Sequence, residues 1–255
     1  APVWVVSACE KLAFRARTWW FPVVGGFTYL GWFEEKAARD HAADLALEGW
    51  DVDVRAARAY STLGWFRDSV LSSMIPSGPD ALAELANVVL HESVHATLYI
   101  PSQSIFNESL ASFIADQLTP RYLEGLGVAG AEALTAYSQA EASARARAKL
   151  LKAAYAELDA LYKSEKVEVD KLAEKSRIMA RLKQELGYQR EISNATLIQF
   201  RTYGAGLDAL ETLYSSCDRS ASKMLHALKG IKASDFAGEQ AEEFSSVLPR
   251  FACQS

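Results

Sequence analysis

The sequence predicts an α+β protein that is mostly α-helical, with a small N-terminal β-sheet and a long C-terminal helical hairpin. Short segments of alternating apolar residues, which are typical of strands, lie within about the first 63 residues. Apolar residues at spacings of three and four dominate from about residue 80 onward. A long stretch rich in Ala, Leu, Lys, Arg and Glu then offers enough length for two antiparallel helices.

The N-terminal part combines three strands with one helix. Strands are expected at Val3–Ser7, at Val23–Phe33 with a break at Gly25-Gly26, and at Val52–Ala57. Between the last two strands, residues 34–49 have the pattern of an amphipathic helix that ends at a glycine. An extended peptide can add as a strand to an exposed sheet edge, and Val23–Phe33 or the Ala59–Phe66 segment is a candidate for such an edge.

Two helices are predicted in the middle of the chain. Ser77-Gly78-Pro79-Asp80 is a helix start signal, and the periodic run that follows continues to about Tyr99. Pro101 stops this helix. A second helix is expected from about Ile105 to Leu118, ending before Pro120.

The predicted hairpin runs from Gly130 to about Gly187 and bends near Lys163-Ser164-Glu165-Lys166. Its apolar stripe is formed by Ala153, Leu158, Leu161 and Tyr162. The charged residues are interpreted as a solvated face. The alternative is that the hairpin binds a protein partner or covers a cleft.

Length and charge fit one globular domain of 255 residues with a net charge of −5. We expect a single domain over residues 1–255, with a sheet-containing part (1–63), a part with the two central helices (64–120) and a helical part (121–255). The mildly acidic charge gives no reason to propose a nucleic-acid partner. No stretch is long and apolar enough to span a membrane.

The most informative motif is His91-Glu92-Ser93-Val94-His95, which is H-E-x-x-H within a predicted helix. Positions i and i+4 lie on one face of a helix, so His91 and His95 can point at one ion. Glu92 projects beside that ion. This pattern is typical of a zinc site with its own general base.

A catalytic zinc needs three protein ligands and an open position. Glu108, in the first turn of the next predicted helix, is the expected third ligand, and Asp116 is its competitor. If Glu108 binds the metal, then Asp116, Ser112 or Asn107 could hold a histidine in the right tautomer.

The spacing separates classes of zinc peptidase. Metzincins continue with a Gly three residues and a third His six residues after the second histidine, and here those positions hold Leu98 and Pro101. A glutamate on a following helix is the gluzincin arrangement. In the expected mechanism Glu92 deprotonates a zinc-activated water and later passes the proton to the leaving amine.

Beyond the motif, the chain resembles the bacterial family of predicted aminopeptidases with an H-E-x-x-H site. The resemblance is carried, in order, by Trp20–Gly26, Tyr29–Phe33, Ala59–Phe66, Phe106–Phe113, and Ser193–Ala195 with Thr202-Tyr203. It implies a zinc metallopeptidase of gluzincin type. Of the residues in these segments, Tyr203 is a candidate for stabilising the oxyanion, Asn194 for orienting a substrate carbonyl, and Tyr60 for lining the substrate cleft.

Several features leave the substrate open. The chain has no G-x-M-E-N stretch of the kind that binds a free amino terminus, so endopeptidase action is an alternative to aminopeptidase action. A cell-wall peptide amidase using the same chemistry is a further alternative. So is a non-catalytic protein that uses a closed zinc site for structure and binds a partner through the hairpin.

Location is inferred from the resemblance, because family members often carry a lipoprotein-like leader. This implies the bacterial periplasm, with possible membrane attachment through a leader absent from this chain. Cys9, Cys217 and Cys253 lack metal-ligand spacing. They could form one disulfide plus a free thiol in an oxidising compartment, or three buried thiols.

Overall fold

The computed structural model describes residues 3–22, 25–57, 77–202, 206–241 and 243–253. It confirms a mostly helical α+β chain with a small antiparallel sheet. The strands are β1 (Val3–Cys9), β2 (Trp19–Phe21), β3 (Gly25–Phe27), β4 (Tyr29–Trp32) and β5 (Asp51–Ala57). The helices are α1 (Glu35–Leu47), α2 (Ala81–Thr97), α3 (Ser104–Glu124), α4 (Val128–Lys163), α5 (Glu168–Leu186), α6 (Asn194–Thr202), α7 (Leu207–Ser216) and α8 (Ala221–Ala227). Short 3-10 helices follow at Leu228–Gly230, Ala233–Asp235 and Leu248–Phe251.

The chain forms two compact units, and each is built from separate stretches of sequence. The first unit comprises Ala1–Trp19, Thr28–Ala57 and Gln139–Phe200, and the second comprises Trp20–Phe27, Arg58–Ser138 and Arg201–Ser255. The consecutive parts expected from sequence therefore do not coincide with the units. The assignment of residues 1–255 to one domain stays a prediction.

The sheet of the first unit has the order β4-β1-β5, with both neighbours antiparallel to β1. Val6, which is fully buried, pairs with Leu30 on one side and with Val54 on the other. Helix α1 packs against this sheet through Ala38, Ala42 and other small or apolar residues. Burial of apolar side chains on one face of the sheet stabilises this layer.

The C-terminal helices of the first unit form the predicted hairpin. Helix α4 ends at Lys163 and α5 begins at Glu168, so the bend lies where the sequence places it. Leu158, Tyr162, Ile178 and Leu182 form its buried core. One detail of the predicted stripe is wrong, because Ala154 and not its exposed neighbour Ala153 is buried.

The second unit contains α2, α3, α7 and α8. Its core combines aliphatic and aromatic side chains, and Phe106 packs edge-on against both Phe236 and Phe244 with ring centroids 5.1 and 5.2 Å apart. A disulfide joins Cys217 at the end of α7 to Cys253. Cys9 is a buried free thiol, so the pattern is one disulfide and one thiol.

The predicted end of α3 is wrong. The helix passes through Pro120 and continues to Glu124. A proline inside a helix removes one backbone hydrogen bond and strains the preceding turn. Leu123 in the extra turn is fully buried against Ala83, Ala133 and Tyr137, and this packing offsets the loss. None of the helices in the described residues is both long and apolar enough to cross a membrane.

Candidate metal centre

Three side chains from two helices converge in the second unit. His91 and His95 lie on α2, and Glu108 lies on α3. The two Nε2 atoms are 3.0 Å apart. A carboxylate oxygen of Glu108 lies 3.3 Å from Nε2 of His91, and the other lies 3.7 Å from Nε2 of His95. Among the described residues, this is the group of His, Cys and acidic side chains that could hold a metal ion.

The spacing of these donor atoms fits a small divalent cation. A tetrahedral zinc site with bonds of about 2.0–2.1 Å places neighbouring ligand atoms about 3.3–3.4 Å apart. The measured separations of 3.0, 3.3 and 3.7 Å lie around that value. Two imidazoles and one carboxylate are also the ligand set of known catalytic zinc sites. Both the distances and the chemistry of the donors therefore fit zinc.

The turn between α2 and α3 brings Glu108 to the histidines. Asn107 is buried and clasps the loop that precedes its helix: its Oδ1 accepts from the amide of Ile100 at 3.0 Å, and its Nδ2 donates to the carbonyl of Ile100 at 2.8 Å. These two bonds tie Asn107, the residue before Glu108, to the loop that follows α2. The reversal of the chain is thereby held at a defined length.

A second set of hydrogen bonds connects the same turn to β3 and to Gln240. The amide of Gly26 in β3 donates to Oγ of Ser102 at 3.2 Å, and its carbonyl accepts from Nε2 of Gln240 at 2.8 Å. Gln240 also accepts from the amide of Ser104 at 2.9 Å. Gly25 has a φ of +84°, and a Cβ there would lie 2.6 Å from Oγ of Ser102, so only glycine fits this approach.

The electrostatics of the three residues favour a cation. Burial alone would raise the pKa of Glu108, but the interactions of its carboxylate with His91 and His95 together outweigh burial and hold that pKa well below its usual range. Burial alone would lower the pKa of His95, but its interactions with the carboxylates of Glu108 and Glu92 raise that pKa above the usual value. A buried carboxylate that stays ionised needs positive charge beside it, and a divalent cation held by the three residues would supply that charge.

Tyr99 belongs to the same electrostatic neighbourhood. Burial, together with the negative charge of Glu108, raises the pKa of its phenol to about 12. Its hydroxyl therefore keeps its proton and stays a hydrogen-bond donor near neutral pH. The sequence places Tyr99 one turn beyond His95, and the influence of Glu108 on Tyr99 adds it to the residues around the site.

Glu92, the expected general base, has one carboxylate oxygen without a hydrogen-bond partner. Its Oε2 is buried, and so is Nδ1 of His95, which also lacks a partner within the described residues. The charge of Glu92 contributes to raising the pKa of His95. A carboxylate oxygen that carries no hydrogen bond can accept a proton from a bound water or substrate.

Glu108 and Asp116, the two candidates for the third ligand, lie in different surroundings. Asp116 is exposed, and its Oδ1 accepts from Nδ2 of Asn87 at 3.0 Å and from the hydroxyl of Tyr137 at 3.3 Å. Ser112, one of the three predicted orienting residues, lies at a histidine, with Oγ 3.4 Å from Nδ1 of His91.

Asn194, another predicted site residue, is engaged in structural hydrogen bonds. Asn194 lies in the first unit, where it is fully buried. Its Nδ2 donates to the carbonyls of Glu10 and Lys11, and its Oδ1 accepts from the hydroxyl of Tyr162. This is the pattern of a structural connection between β1 and the hairpin, so every polar atom that Asn194 would offer to a substrate carbonyl is already bonded.

Tyr60 and Tyr203 both lie outside the described residues, as does the candidate edge at 59–66. The other candidate edge, Val23–Phe33, is described from residue 25 and was wrongly expected to be one strand. It contains β3, which pairs with β2, and β4, which is an outer strand of the β4-β1-β5 sheet in the described residues. At Gly26 the amide and the carbonyl are taken by Ser102 and Gln240. Gly26 therefore offers no backbone groups for an added strand.

Two further histidines lie outside the site. His226 is exposed. His41 is half-buried between Trp19 and Trp32, with its Nε2 enclosed. The reasoning from sequence also missed Asn87, Tyr137 and Gln240, which contact the site helices or their turn. Asn87 had one available signal, because it lies four residues before His91 on the same helical face.

Comparison with known proteins assigns the chain to a family. A sequence model of the family described as "Putative aminopeptidase" matches residues 1–242. The chain belongs to this aminopeptidase family. The match spans both compact units and includes His91, His95 and Glu108. Neither the curated proteins nor the solved structures contain a significant match to the chain. Membership of the aminopeptidase family supports a peptidase-like function for the protein.

Proposed function

We propose that the protein is a zinc-dependent peptidase of the gluzincin type, with His91, His95 and Glu108 as metal ligands. One observation carries this proposal: two imidazole nitrogens and a carboxylate converge at separations of 3.0 to 3.7 Å, which fit a tetrahedral zinc site. Membership of the aminopeptidase family supports the same reaction class. When bound, zinc would polarise the scissile carbonyl and lower the pKa of a water molecule to about 7.

The chain's own residues supply the proton transfers. Glu92 takes the proton from the attacking water, because its Oε2 is buried and no hydrogen bond occupies it. The same carboxyl group then delivers the proton to the leaving amine. Glu108 supplies the negative charge of the ligand set and would partly neutralise a bound zinc ion, while the two histidines would bind as neutral imidazoles. Tyr203 is proposed to donate a hydrogen bond to the oxyanion, and Tyr60 to line the substrate cleft.

The substrate is a peptide or a protein, and aminopeptidase action is the form of activity that the family description favours. We propose that the protein acts in the bacterial periplasm. The disulfide between Cys217 and Cys253 supports an oxidising compartment.

The test combines metal removal with a peptide digest. Purified protein is stripped with a chelator, and stripped and zinc-restored samples are incubated with a mixed peptide library whose products are identified by mass spectrometry. We expect one zinc per chain, and cleavage only after zinc is restored. Successive loss of N-terminal residues would identify an aminopeptidase, whereas internal cuts would identify an endopeptidase. A protein that binds no zinc, or a zinc-loaded protein that cleaves no peptide bond, would overturn the proposal.

A further inference from the structure

Polar side chains continue along the two site helices beyond the three metal-ligand candidates. Each helix presents a row with a spacing of four residues, which places the members on one face. The rows consist of Asn87, His91 and His95 on α2, and of Glu108, Ser112 and Asp116 on α3. The helices run antiparallel, so the rows meet in layers: His95 and His91 meet Glu108, His91 meets Ser112, and Asn87 meets Asp116.

The middle layer acts on the ring of His91. Its Nε2 faces Glu108 and His95, while Oγ of Ser112 lies 3.4 Å from its Nδ1. An imidazole that binds a metal through Nε2 carries its proton on Nδ1 and donates it to a neighbour. A serine hydroxyl can accept that proton. Ser112 is therefore placed to favour the tautomer that leaves Nε2 free for a metal.

The outer layer joins a third helix to the pair. Nδ2 of Asn87 donates to Oδ1 of Asp116 at 3.0 Å and lies 3.3 Å from the hydroxyl oxygens of Thr119 and Tyr137. The hydroxyl of Tyr137, from the first part of α4, donates to the same oxygen of Asp116 at 3.3 Å. Tyr137 is buried, and it packs with Ala83 and Leu123.

This outer layer controls the rotation of α2. Asn87 lies one turn before His91, so turning α2 about its axis would move both side chains together. Bonds from Asn87 to α3 oppose that turn, and Tyr137 closes the layer from α4. Two contacts therefore fix the orientation of His91. Ser112 contacts its ring directly, and the bond from Asn87 to Asp116 fixes the rotation of the helix that carries it.

We propose that Ser112 is a positioning residue for His91, and that the layer of Asn87, Asp116 and Tyr137 holds α2 in the rotation that this contact needs. The proposal rests on the proposed function, because it concerns how His91 is presented to zinc. Partners of metal-binding histidines typically contribute about 10- to 100-fold in metal affinity. For a neutral hydroxyl at 3.4 Å, we expect an effect near the lower limit, about tenfold.

The experiment compares Ser112→Ala and Ser112→Thr with the wild type. Zinc affinity is measured by competition with a chromogenic chelator, and the visible spectrum of the cobalt(II)-substituted protein reports the geometry at the ligands. Ser138→Ala is the matched control, because it removes an exposed hydroxyl of the same unit whose hydrogen bond goes to Leu134 of its own helix. Far-ultraviolet circular dichroism checks that each variant is folded.

Ser112→Ala is expected to bind zinc about tenfold more weakly and to shift the cobalt spectrum. Ser112→Thr, which keeps the hydroxyl, should restore both properties, and Ser138→Ala should match the wild type. A purely structural role of Ser112 would not alter the cobalt spectrum of the folded protein. A Ser112→Ala protein with wild-type affinity and spectrum would overturn the inference, yet leave the proposed function intact. Absence of zinc binding by the wild type would overturn both.

A second variant tests the outer layer by itself. Tyr137→Phe removes the hydroxyl that bonds Asp116 and keeps the ring that packs against Leu123. We expect zinc affinity to fall by several-fold, with the fold retained. An unchanged affinity and cobalt spectrum in Tyr137→Phe would remove this layer from the proposal.

Discussion

Asn107 and Ile100 exchange two hydrogen bonds across the turn between the site helices, at 3.0 Å and 2.8 Å. The side-chain amide of Asn107 thereby pairs with the backbone N–H and C=O of a single residue, as a residue on a neighbouring antiparallel strand would. Because Glu108 is the next residue, this clasp sets where its carboxylate meets the histidines. The stability of the turn and the position of the Glu108 carboxylate therefore depend on one side chain.

Asn107→Ala should therefore destabilise the protein. The substitution leaves the buried amide of Ile100 without a partner, whereas the carbonyl keeps a bond from the amide of Gln103. An unsatisfied buried donor costs about 1–3 kcal/mol, and we expect a loss of unfolding free energy of that size. Urea denaturation followed by circular dichroism measures it, with Ser138→Ala as the control. A loss below about 0.5 kcal/mol, the usual range for surface changes, would contradict the role of the clasp.

Glu92→Gln should separate metal binding from catalysis. Glutamine preserves the size of the side chain and cannot take a proton from water, so the rate should fall by at least about a hundredfold. Zinc content should remain that of the wild type, because Glu92 is not one of the three converging ligands. Glu124→Gln, which neutralises an exposed glutamate at the end of α3, is the control for lost charge. Wild-type turnover by Glu92→Gln would rule out Glu92 as the general base.

Glu108 and Asp116 should respond differently to loss of charge. Glu108→Ala removes a ligand from a set of three, and zinc affinity should fall by more than about a hundredfold, since even indirect partners contribute about 10- to 100-fold. Asp116→Asn keeps Oδ1 as an acceptor for Asn87 and Tyr137, and it should retain zinc. Both affinities are measured by chelator competition. Full zinc binding by Glu108→Ala, with loss in Asp116→Asn, would reverse the assignment.

Cys9 should be an unreactive thiol in the folded protein. Burial, followed by the negative charge of Asp51, raises its pKa to about 12. The folded state therefore holds the thiol proton more tightly than the unfolded chain, whose pKa is about 8.5. The resulting stabilisation is complete below about pH 8.5 and is lost as the pH rises towards 12.

A thiol-specific chromogenic reagent checks this prediction. We expect almost no reaction in the native protein at about pH 8, one thiol per chain in denaturant without reductant, and three after reduction. The Cys9→Ala variant should lose less stability than the wild type between about pH 8.5 and the alkaline limit. Rapid reaction of Cys9 in the native protein would show that this thiol is accessible.

The disulfide should stabilise the second unit. Cys217 and Cys253 are separated by 36 positions, and closing a loop of that size lowers the entropy of the unfolded chain by an amount worth about 3–4 kcal/mol. Unfolding with and without reductant should differ by this amount. The double variant Cys217→Ser with Cys253→Ser should match the reduced protein and no longer respond to reductant. An identical denaturation midpoint with and without reductant would contradict this contribution.

Local sequence determined the features that depend on neighbouring positions. His91 and His95 are four residues apart, so a single helix places them on one face whatever the rest of the chain does. The bend near Lys163–Lys166 could likewise be predicted from the sequence, because the helical periodicity stops there and resumes at Glu168.

Tertiary structure decided the features that depend on distant positions. Glu108 and Asp116 lie on the same face of α3, two turns apart, and sequence spacing could not tell which of them meets the histidines. The clasp of Asn107 on Ile100 sets that register. Packing of Leu123 likewise carries α3 through Pro120, against the local rule. Contacts between distant segments outweigh local preferences because burial and satisfied hydrogen bonds contribute more free energy than helix propensity does.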